Sequence, residues 1–252
     1  MTALHHEIAG PPEAPVLLMG GSLGTTLGMW EWQLPLAARL RLVRFDHRGH
    51  GRSPVPTGPY EIGDLGRDVL ELMDALGLER ASYCGLSLGG MVGMWLGANA
   101  PERIDRLVLM CTSPYMPPAS MWQERALVVR GAGSVEPIAD AVLERWLTSD
   151  FARTHPEARA NLRRMLVETS AEGYAACCGA IERLDLRADL SLIGAPTLVI
   201  SGADDPSTPP EQMQPIADAI ADARHETVGA AAHLAGVAQP EAVNELILEH
   251  VQ

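Results

Sequence analysis

Lysine is absent from this chain: all 19 basic residues are arginines, and 32 acidic residues give a net charge of −13. Without lysine there is no P-loop, whose phosphate cradle ends in Gly-Lys-Ser/Thr. Nucleic-acid binding needs a basic face, so the charge argues against a nucleic-acid partner. The same negative field means that an anionic small substrate would need an arginine placed close to it.

Cysteines are few, and they do not form the pattern of a disulfide framework or of a metal site. Cys84 and Cys111 lie in apolar runs typical of buried strands, whereas Cys177 and Cys178 are adjacent and would point apart on a regular element. Buried free cysteine is common in reducing compartments. We therefore expect all four to pack in the core, and we expect neither a metal ion nor a cofactor.

Long apolar runs are also missing, since none approaches the roughly 18 residues of a membrane span. The first ten residues, MTALHHEIAG, lack the charged start and the apolar h-region of a signal peptide. We therefore expect a cytoplasmic protein with no membrane partner. The sequence predicts no particular oligomeric state.

What the chain does contain is an alternation of short apolar runs with amphipathic segments. This pattern is typical of a parallel sheet covered by helices on both faces, the α/β class. The segment 62–76 places its apolar residues on one face and predicts a crossover helix. The predicted strands are 14–19, 40–46, 81–85, 106–111, 196–201 and, more weakly, 224–229.

The alternation stops after the strand that ends near Cys111. The region 114–189 begins with a proline-rich stretch, continues as an Arg-, Glu- and Ala-rich helical sequence, and contains no convincing strand. We interpret it as a helical cap inserted into one α/β core formed by 1–113 and 190–252. Helices inserted after a strand end usually lie above the carboxyl edge of the sheet, where open α/β sheets bind ligands.

Two segments have the Gly-x-Ser-x-Gly spacing that presents a nucleophilic serine on a tight turn. One contains Ser22 and the other contains Ser87. Ser87 follows the buried run ASYC and precedes a helical segment rich in small residues, which is the strand–turn–helix context of a nucleophile. Ser22 is followed by TTLGMWEWQLP, which does not begin a clean helix. The sequence therefore predicts Ser87 as the nucleophile.

A serine nucleophile needs a base and an acid, expected here in the order Ser, acid, His. Of the four histidines after Ser87, His233 lies in a small-residue loop beyond the last apolar run, where a base must reach back over the sheet edge. His225 begins that run. His155 and His250 are expected at the surface. The sequence therefore favours His233 as the base.

The acid is expected directly after the run 196–201, where GADDPSTPP contains two adjacent aspartates. The spacing from Gly202 and the proline that follows favour Asp205, and Asp204 is the alternative. A buried carboxylate at this position would hold the imidazole in the right tautomer and stabilise the imidazolium during attack.

Several motifs make the chain resemble the α/β-hydrolase superfamily from end to end. They are FDHRGHGRS (45–53), GLSLGG (85–90), GADDPSTPP (202–210) and AAHLAGVAQPE (231–241). A narrower resemblance, to the 3-oxoadipate enol-lactonases of aromatic catabolism, includes the predicted cap. It rests on GGSLGTTLGMWEWQ (20–33), GPYEIGDLGRDVLELMDALGL (58–78), ERWLTSDF (144–151) and SAEGYAACCGAIERLDLR (170–187).

The resemblance implies an α/β-hydrolase fold, with a mostly parallel central sheet flanked by helices. It implies that Ser-Leu-Gly-Thr at 22–25 replaces the superfamily's usual His-Gly oxyanion motif, so that the backbone N–H groups of Leu23 and Leu88 form the oxyanion hole. Gly-Gly at 20–21 departs from the Ser-Asn expected before this loop. That departure affects the flexibility of the loop more than its chemistry, because the donor is a backbone amide.

The resemblance also implies a reaction and a substrate. The reaction is hydrolysis of 3-oxoadipate enol-lactone to 3-oxoadipate, in the β-ketoadipate pathway, through an acyl-enzyme. The substrate is an anionic lactone, whose carboxylate needs a cationic clamp. We expect Arg145, beside Trp146 in ERWLTSDF, to bind it, with Arg125, Arg130 and Arg187 as the other candidates.

Two further interpretations stay open. The same Ser–acid–His set also suits a general small-ester hydrolase, a C–C bond hydrolase or a cofactor-free perhydrolase. The other interpretation is a non-catalytic ligand receptor on this fold. The presence of a serine, an acid and a histidine in the expected order argues against it.

Overall fold

A seven-stranded sheet lies at the centre of the computed structural model, which describes residues 3–252. Its strands are β1 His6–Ala9, β2 Val16–Gly20, β3 Arg41–Phe45, β4 Ala81–Leu86, β5 Ile104–Met110, β6 Thr197–Gly202 and β7 Ala223–Val228. Their order across the sheet is β1-β3-β2-β4-β5-β6-β7. The edge strand β1 runs antiparallel to β3, and the other neighbouring strands are parallel.

The central strands are apolar because helices cover both of their faces. Every residue of β4 and of β6 is buried. The six predicted strands are confirmed, with ends within two residues of the expected ones. The sequence pattern does not predict β1, because HEIA is only four residues long and lies half-exposed at the edge, where no apolar alternation is required.

Ten α-helices occur among the described residues. They are α1 Ile62–Ala75, α2 Leu88–Asn99, α3 Ala119–Ala132, α4 Ala139–Trp146, α5 Ser149–Thr154, α6 Pro156–Val167, α7 Ala171–Glu182, α8 Pro210–Ala219, α9 Ala235–Ala238 and α10 Pro240–Val251. Short 3₁₀ helices cover Leu27–Ala38, Pro101–Arg103, Glu136–Ile138 and Leu190–Leu192. None of the helices in the described part of the chain is both long enough and apolar enough to span a membrane.

The helix predicted over 62–76 is confirmed as α1. It begins with a capping box, in which the Glu61 side chain accepts from the third helical amide and the Asp64 carboxylate accepts from the Glu61 amide at 2.8 Å. Its buried face packs on α2. The chain leaves the helix through Gly77, whose positive φ of 67° suits the residue after a helix end.

Five helices, α3 to α7, form the segment between β5 and β6. Among these five helices, α3 and α7 form the most extensive contact. A β-bridge between Tyr115 and Asp185 brings the two ends of this segment together. The chain leaves the sheet at the end of β5 and returns to it at β6, and these two strands are neighbours.

All four cysteines are buried and free, so the expected core packing is confirmed. Burial raises the pKa of each thiol, that of Cys178 to about 12. A thiol in this state is a weak nucleophile, so the cysteines serve as small apolar residues.

A mostly buried ion pair fastens the loop after β3 to α1. The Arg48 guanidinium donates to both carboxylate oxygens of Asp68, at 2.6 Å for its Nη2, and Nη2 also donates to the Asp64 carbonyl. The side chains of Arg48 and Asp68 are 14% and 3% exposed. A bidentate geometry of this kind offsets the cost of removing two charges from water.

We expect Asp68→Asn to lower the free energy of unfolding by on the order of 3 kcal/mol, because the Arg48 guanidinium loses its counter-charge in a poorly hydrated place. Urea unfolding measures this as a lower midpoint at an unchanged slope. Asp150→Asn is the control, since Asp150 pairs with Arg153 in full contact with solvent and should matter much less. Equal losses in the two variants would contradict the expectation.

Candidate active site

Ser87 occupies the sharp turn between β4 and α2. Its backbone has φ 58° and ψ −111°, a conformation that costs a non-glycine residue on the order of 1–3 kcal/mol. The Ser87 amide donates to the Met110 carbonyl at 2.9 Å, and the Ser87 carbonyl accepts from the Thr112 hydroxyl at 2.7 Å. The chain at the end of β5 therefore holds the strained turn in place.

Two glycines allow this turn to close. A Cβ on Gly85 would overlap the backbone of Gly89, and a Cβ on Gly89 would overlap the carbonyl of Gly20 at the end of β2. The spacing around Ser87 is therefore required by the close approach of β2, β4 and α2. The strand–turn–helix context expected for Ser87 is confirmed.

His233 and Asp205 form a buried pair at the same edge of the sheet. Nδ1 of His233 lies 2.8 Å from Oδ2 of Asp205, and the two residues are 5% and 2% exposed. Asp205 also accepts from the Ser207 amide at 2.8 Å and from the Thr208 hydroxyl at 2.7 Å. With a proton on Nδ1, the Nε2 nitrogen of His233 is left as the basic one.

Burial favours a higher pKa for Asp205, but the charge of His233 and the hydrogen bonds from His233, Thr208 and Ser207 outweigh it. The pKa of Asp205 is therefore lower than that of an ordinary aspartate. The carboxylate stays ionised at neutral pH, as a group that orients an imidazole must. The neighbouring Asp204 is exposed and does not contact His233.

The other histidines after Ser87 lie elsewhere. His225 bonds the Ser201 hydroxyl at 2.6 Å and the Gln214 side chain at 2.9 Å, away from the turn at Ser87. His155 is exposed, as expected. The expectation that His250 lies at the surface is wrong: it is 9% exposed, and its Nε2 is 3.1 Å from the Pro196 carbonyl because α10 packs against the sheet.

The glycine-rich loop after β2 lies against the first turn of α2. The Gly89 amide donates to the Gly21 carbonyl at 3.0 Å, which brings this loop beside Leu88, the first residue of α2. Within the loop, the Ser22 amide donates to Met29 Sδ and the Gly24 amide to His50 Nε2, at 2.9 Å. The Leu23 amide lies between these two engaged donors.

A cavity of about 870 Å³ joins these groups. Ser87, His233, Ser22 and Leu23 are among the residues that line it. The helical segment between β5 and β6 supplies much of the remaining wall, which includes Trp122, Arg125, Arg145, Trp146, Tyr174 and Arg187. A cavity of this size suits a small molecule.

The four candidate arginines differ in their partners. Arg130 is bidentate to Glu172, and Arg187 is bidentate to Asp185, so both positive charges are already compensated. Arg130 does not line the cavity.

Arg125 and Arg145 both line the cavity, and neither forms an ion pair within residues 3–252. Arg125 lies over the Trp122 ring at 4.8 Å from its centroid. They are therefore the two candidates with charge available for a ligand.

Arg145 and Trp146 also contact the loop that carries His233. The His233 amide donates to the Arg145 carbonyl at 3.4 Å, and the Leu234 amide donates to the Trp146 carbonyl at 3.0 Å. Trp146 is 4% exposed and lines the cavity. The end of α4 therefore helps to hold the loop that carries His233. The sequence does not signal this role, because backbone carbonyls perform it.

The arrangement is suited to nucleophilic chemistry. It combines a strained serine, a histidine oriented by an ionised carboxylate, and backbone amides beside the serine. Residues 3–252 contain no cluster of three or more His, Cys, Asp or Glu side chains placed to hold a metal ion.

Comparison with known proteins gives a consistent relationship. Residues 14–134 match a family model described as the alpha/beta hydrolase fold. The chain is 39% identical over 246 residues to 3-oxoadipate enol-lactonase 2 of Acinetobacter baylyi, covering 97% of this chain and 91% of that protein. The solved enol-lactonase of Burkholderia xenovorans LB400 superposes with a TM-score of 0.96 at 40% identity, covering 99% of this chain and 96% of that one.

A more distant relative has a different name. The chain is 29% identical over 267 residues to a protein of Variovorax paradoxus that is named, provisionally, as a carbamate hydrolase, with 98% of this chain and 95% of that protein covered. Both kinds of relative are hydrolases by name. The chain belongs to the α/β-hydrolase family, is similar to the family's 3-oxoadipate enol-lactonases over almost all of its length, and has the role of a hydrolase.

Proposed function

We propose that this protein hydrolyses 3-oxoadipate enol-lactone to 3-oxoadipate, a step of the β-ketoadipate pathway of aromatic degradation. The observation that carries the proposal is one cavity that is lined both by Ser87 and His233 and by two arginines without acidic partners, Arg125 and Arg145. A carboxylate-bearing ester fits both features. The similarity to enol-lactonases supports the same choice.

In the proposed first step, His233 Nε2 takes the proton from Ser87 Oγ as the oxygen attacks the lactone carbonyl. The new bond joins Oγ to the carbonyl carbon, and the carbonyl electrons move to its oxygen. The backbone amides of Leu23 and Leu88 would donate to that oxyanion. Asp205 stabilises the imidazolium that forms on His233.

In the second step, the carbonyl re-forms and the ring C–O bond breaks. The imidazolium returns its proton to the departing enol oxygen, which stays tethered because it belongs to the same molecule. The enol then shifts to the ketone, and this makes ring opening hard to reverse. Water, deprotonated by His233, then attacks the ester carbonyl of the acyl-enzyme. The carbonyl re-forms, the bond to Ser87 Oγ breaks, and Oγ takes the proton back from His233, which releases the product.

The helical segment 114–189 would select the substrate. We propose that it is a cap inserted into a single domain whose core is 1–113 and 190–252, since α3 to α7 supply the wall of the cavity and contact the His233 loop. Arg145, together with Arg125, would hold the carboxylate of the lactone, and Trp146 would pack on its ring. A small anionic lactone is the only partner that this assignment requires.

Steady-state rates on four substrates test the proposal. They are the enol-lactone, the same lactone with its carboxylate methylated, p-nitrophenyl acetate and a small carbamate. We expect kcat/KM to be highest for the enol-lactone and to fall when its carboxylate is methylated. A higher kcat/KM for the simple ester or the carbamate would overturn the assignment in favour of a general ester hydrolase or a carbamate hydrolase. Binding without turnover of any of the four would favour a receptor.

We expect Arg145→Ala to raise KM for the enol-lactone by about 10- to 100-fold, because a lost charge-assisted hydrogen bond of about 1.5–3 kcal/mol has this effect on binding. Arg125→Ala should raise KM in the same direction. The KM for uncharged p-nitrophenyl acetate should stay unchanged in both variants.

Arg130→Ala is the matched control, because Arg130 lies in the same helical segment, already pairs with Glu172, and does not line the cavity. Its KM for the lactone should equal that of the wild type. If Arg187→Ala raised KM while Arg145→Ala did not, the carboxylate would bind at Arg187 and our choice of arginine would be wrong.

A further inference from the structure

The FDHRGHGRS motif after β3 has no part in the chemistry described so far. Two of its side chains accept hydrogen bonds from backbone amides of the loop 22–25 and of the residues that follow it. His50 accepts from the Gly24 amide, and Asp46 accepts from the Leu27 amide at 2.6 Å. The motif therefore contacts the chain on the C-terminal side of Leu23.

The peptide that contains the Leu23 N–H is fixed from its other end. Its carbonyl, that of Ser22, accepts from the Thr25 amide at 3.1 Å and from the Thr25 hydroxyl at 2.8 Å. A trans peptide is planar, and its N–H points opposite to its C=O. The Leu23 N–H is therefore directed away from Thr25 as long as the two bonds to the Ser22 carbonyl persist.

His50 fixes the next peptide, between Leu23 and Gly24. Its Nε2 accepts from the Gly24 amide at 2.9 Å, and its Nδ1 lies 3.1 Å from the Arg48 carbonyl. An amide can only donate, so Nε2 carries no proton and the proton is on Nδ1, which donates to Arg48. His50 is 1% exposed, and burial lowers its pKa, so the ring is neutral at pH 7 and Nε2 remains an acceptor.

The backbone at Gly24 explains why this peptide needs an anchor. Gly24 has φ 83°, and a glycine can also adopt many other backbone conformations, so the residue itself does not fix the peptide. The side chains of Leu166 and Tyr174 from the helical segment approach its Cα closely. Without a fixed acceptor, the Leu23–Gly24 peptide could rotate and leave a buried amide unsatisfied or turn a carbonyl toward the cavity. A buried imidazole acceptor restricts it to one orientation.

We propose that His50 is a positioning residue for oxyanion stabilisation, which acts by holding the Gly24 amide and thereby the orientation of the Leu23 N–H. The inference rests on the proposed mechanism, in which Leu23 is an oxyanion donor. It assigns no proton transfer to His50 and no contact with substrate. Thr25 performs the same task for the preceding peptide.

The test compares two variants of His50. His50→Leu removes the acceptor, and His50→Gln keeps an oxygen acceptor near the position of Nε2. We expect His50→Leu to lower kcat by about 10- to 100-fold with KM changed by less than about twofold, because a displaced donor affects the transition state rather than the bound substrate. His50→Gln should recover most of the lost kcat.

A transition-state analogue separates positioning from general structure. An aryl trifluoromethyl ketone adds to Ser87 and forms a stable tetrahedral oxyanion, whereas 3-oxoadipate does not. In His50→Leu the inhibition constant of the ketone should rise by the same factor as kcat falls, and that of 3-oxoadipate should stay the same. His225→Leu is the matched control, since it removes a histidine bonded to Ser201 and Gln214 away from the loop and should leave both constants unchanged.

A measurement on the wild-type protein covers the case in which His50→Leu fails to fold. In ¹⁵N-labelled protein, an N–H···N hydrogen bond transmits a scalar coupling, so the Gly24 amide nitrogen and His50 Nε2 should show a mutual cross-peak. Thr25→Val, which removes the hydroxyl contacts to the Ser22 carbonyl and to Met29 Sδ but keeps the Thr25 amide bond, should show a smaller loss of kcat at constant KM.

The inference is overturned if the cross-peak is missing, if His50→Leu keeps wild-type kcat, or if kcat and the affinities for both inhibitors fall together. It is also overturned if His50→Gln is no better than His50→Leu. A wild-type protein that turns over neither lactone nor ester would instead contradict the proposed function, and the cross-peak would still decide whether His50 holds Gly24.

Discussion

Ser87→Ala is expected to lower kcat for the lactone by on the order of 10⁶-fold, the scale seen when a serine nucleophile is removed from a triad. Alanine cannot form the acyl-enzyme, so only direct attack by water remains, helped by the backbone amides at Leu23 and Leu88. Substrate should still bind, because the arginines in the wall of the cavity are unchanged. Single-turnover kinetics measure the loss of rate, and equilibrium binding of the lactone to the variant measures the retained affinity.

Ser22→Ala is the control for this variant, because Ser22 has the same Gly-x-Ser-x-Gly spacing and lines the same cavity. Its role is carried by backbone atoms: the amide donates to Met29 and the carbonyl accepts from Thr25. Removal of the hydroxyl should therefore change kcat little. Substantial hydrolysis by Ser87→Ala, or an inactive Ser22→Ala, would mean that the nucleophile is assigned to the wrong serine.

Asp205→Asn is expected to lower kcat by about 10⁴-fold, because an amide at this position favours the wrong tautomer of His233 and gives no charge to stabilise the imidazolium. The change keeps the shape of the side chain, and Oδ1 can still accept from the Ser207 amide, but an NH₂ group in place of Oδ2 no longer accepts from the Thr208 hydroxyl. KM for the lactone should change little, since Asp205 is buried behind His233. Steady-state kinetics of the variant on the lactone measure both constants.

Asp204→Asn is the matched control, one residue away and exposed. We expect its kcat and KM to equal those of the wild type. A large effect at Asp204 with a small one at Asp205 would contradict the orientation of His233 seen in the structure.

The nucleophile turn is a feature that local sequence can specify. The apolar run before Ser87, the glycines at 85 and 89 and the small-residue helix after them all lie within residues 81–99. Close packing of backbone on backbone permits few residue types there, so the pattern predicts the geometry that the structure has. The same holds for the six strands, because a strand buried on both faces must be apolar.

The choice between several residues of the same type required the tertiary structure. The sequence favours Asp205 by its spacing from Gly202 and by the proline that follows, and leaves Asp204 open, whereas folding buries Asp205 and exposes Asp204. The sequence ranks four arginines by resemblance, and only the folded chain shows that Glu172 and Asp185 neutralise two of them. His250 was expected at the surface because it is near the chain end, yet the packing of α10 buries it.

The sequence by itself therefore determined the fold class, the positions of the strands that form the core and the turn that bears Ser87, because each depends on the periodicity or packing of nearby residues. Only the tertiary structure decided which aspartate meets His233, which arginines keep an unpaired charge, and that His50 supports the loop of Leu23. The pairs His50–Gly24, Asp205–His233 and Arg130–Glu172 join residues 26, 28 and 42 positions apart, which no local pattern records. Their energies arise only when the sheet brings the chain segments together.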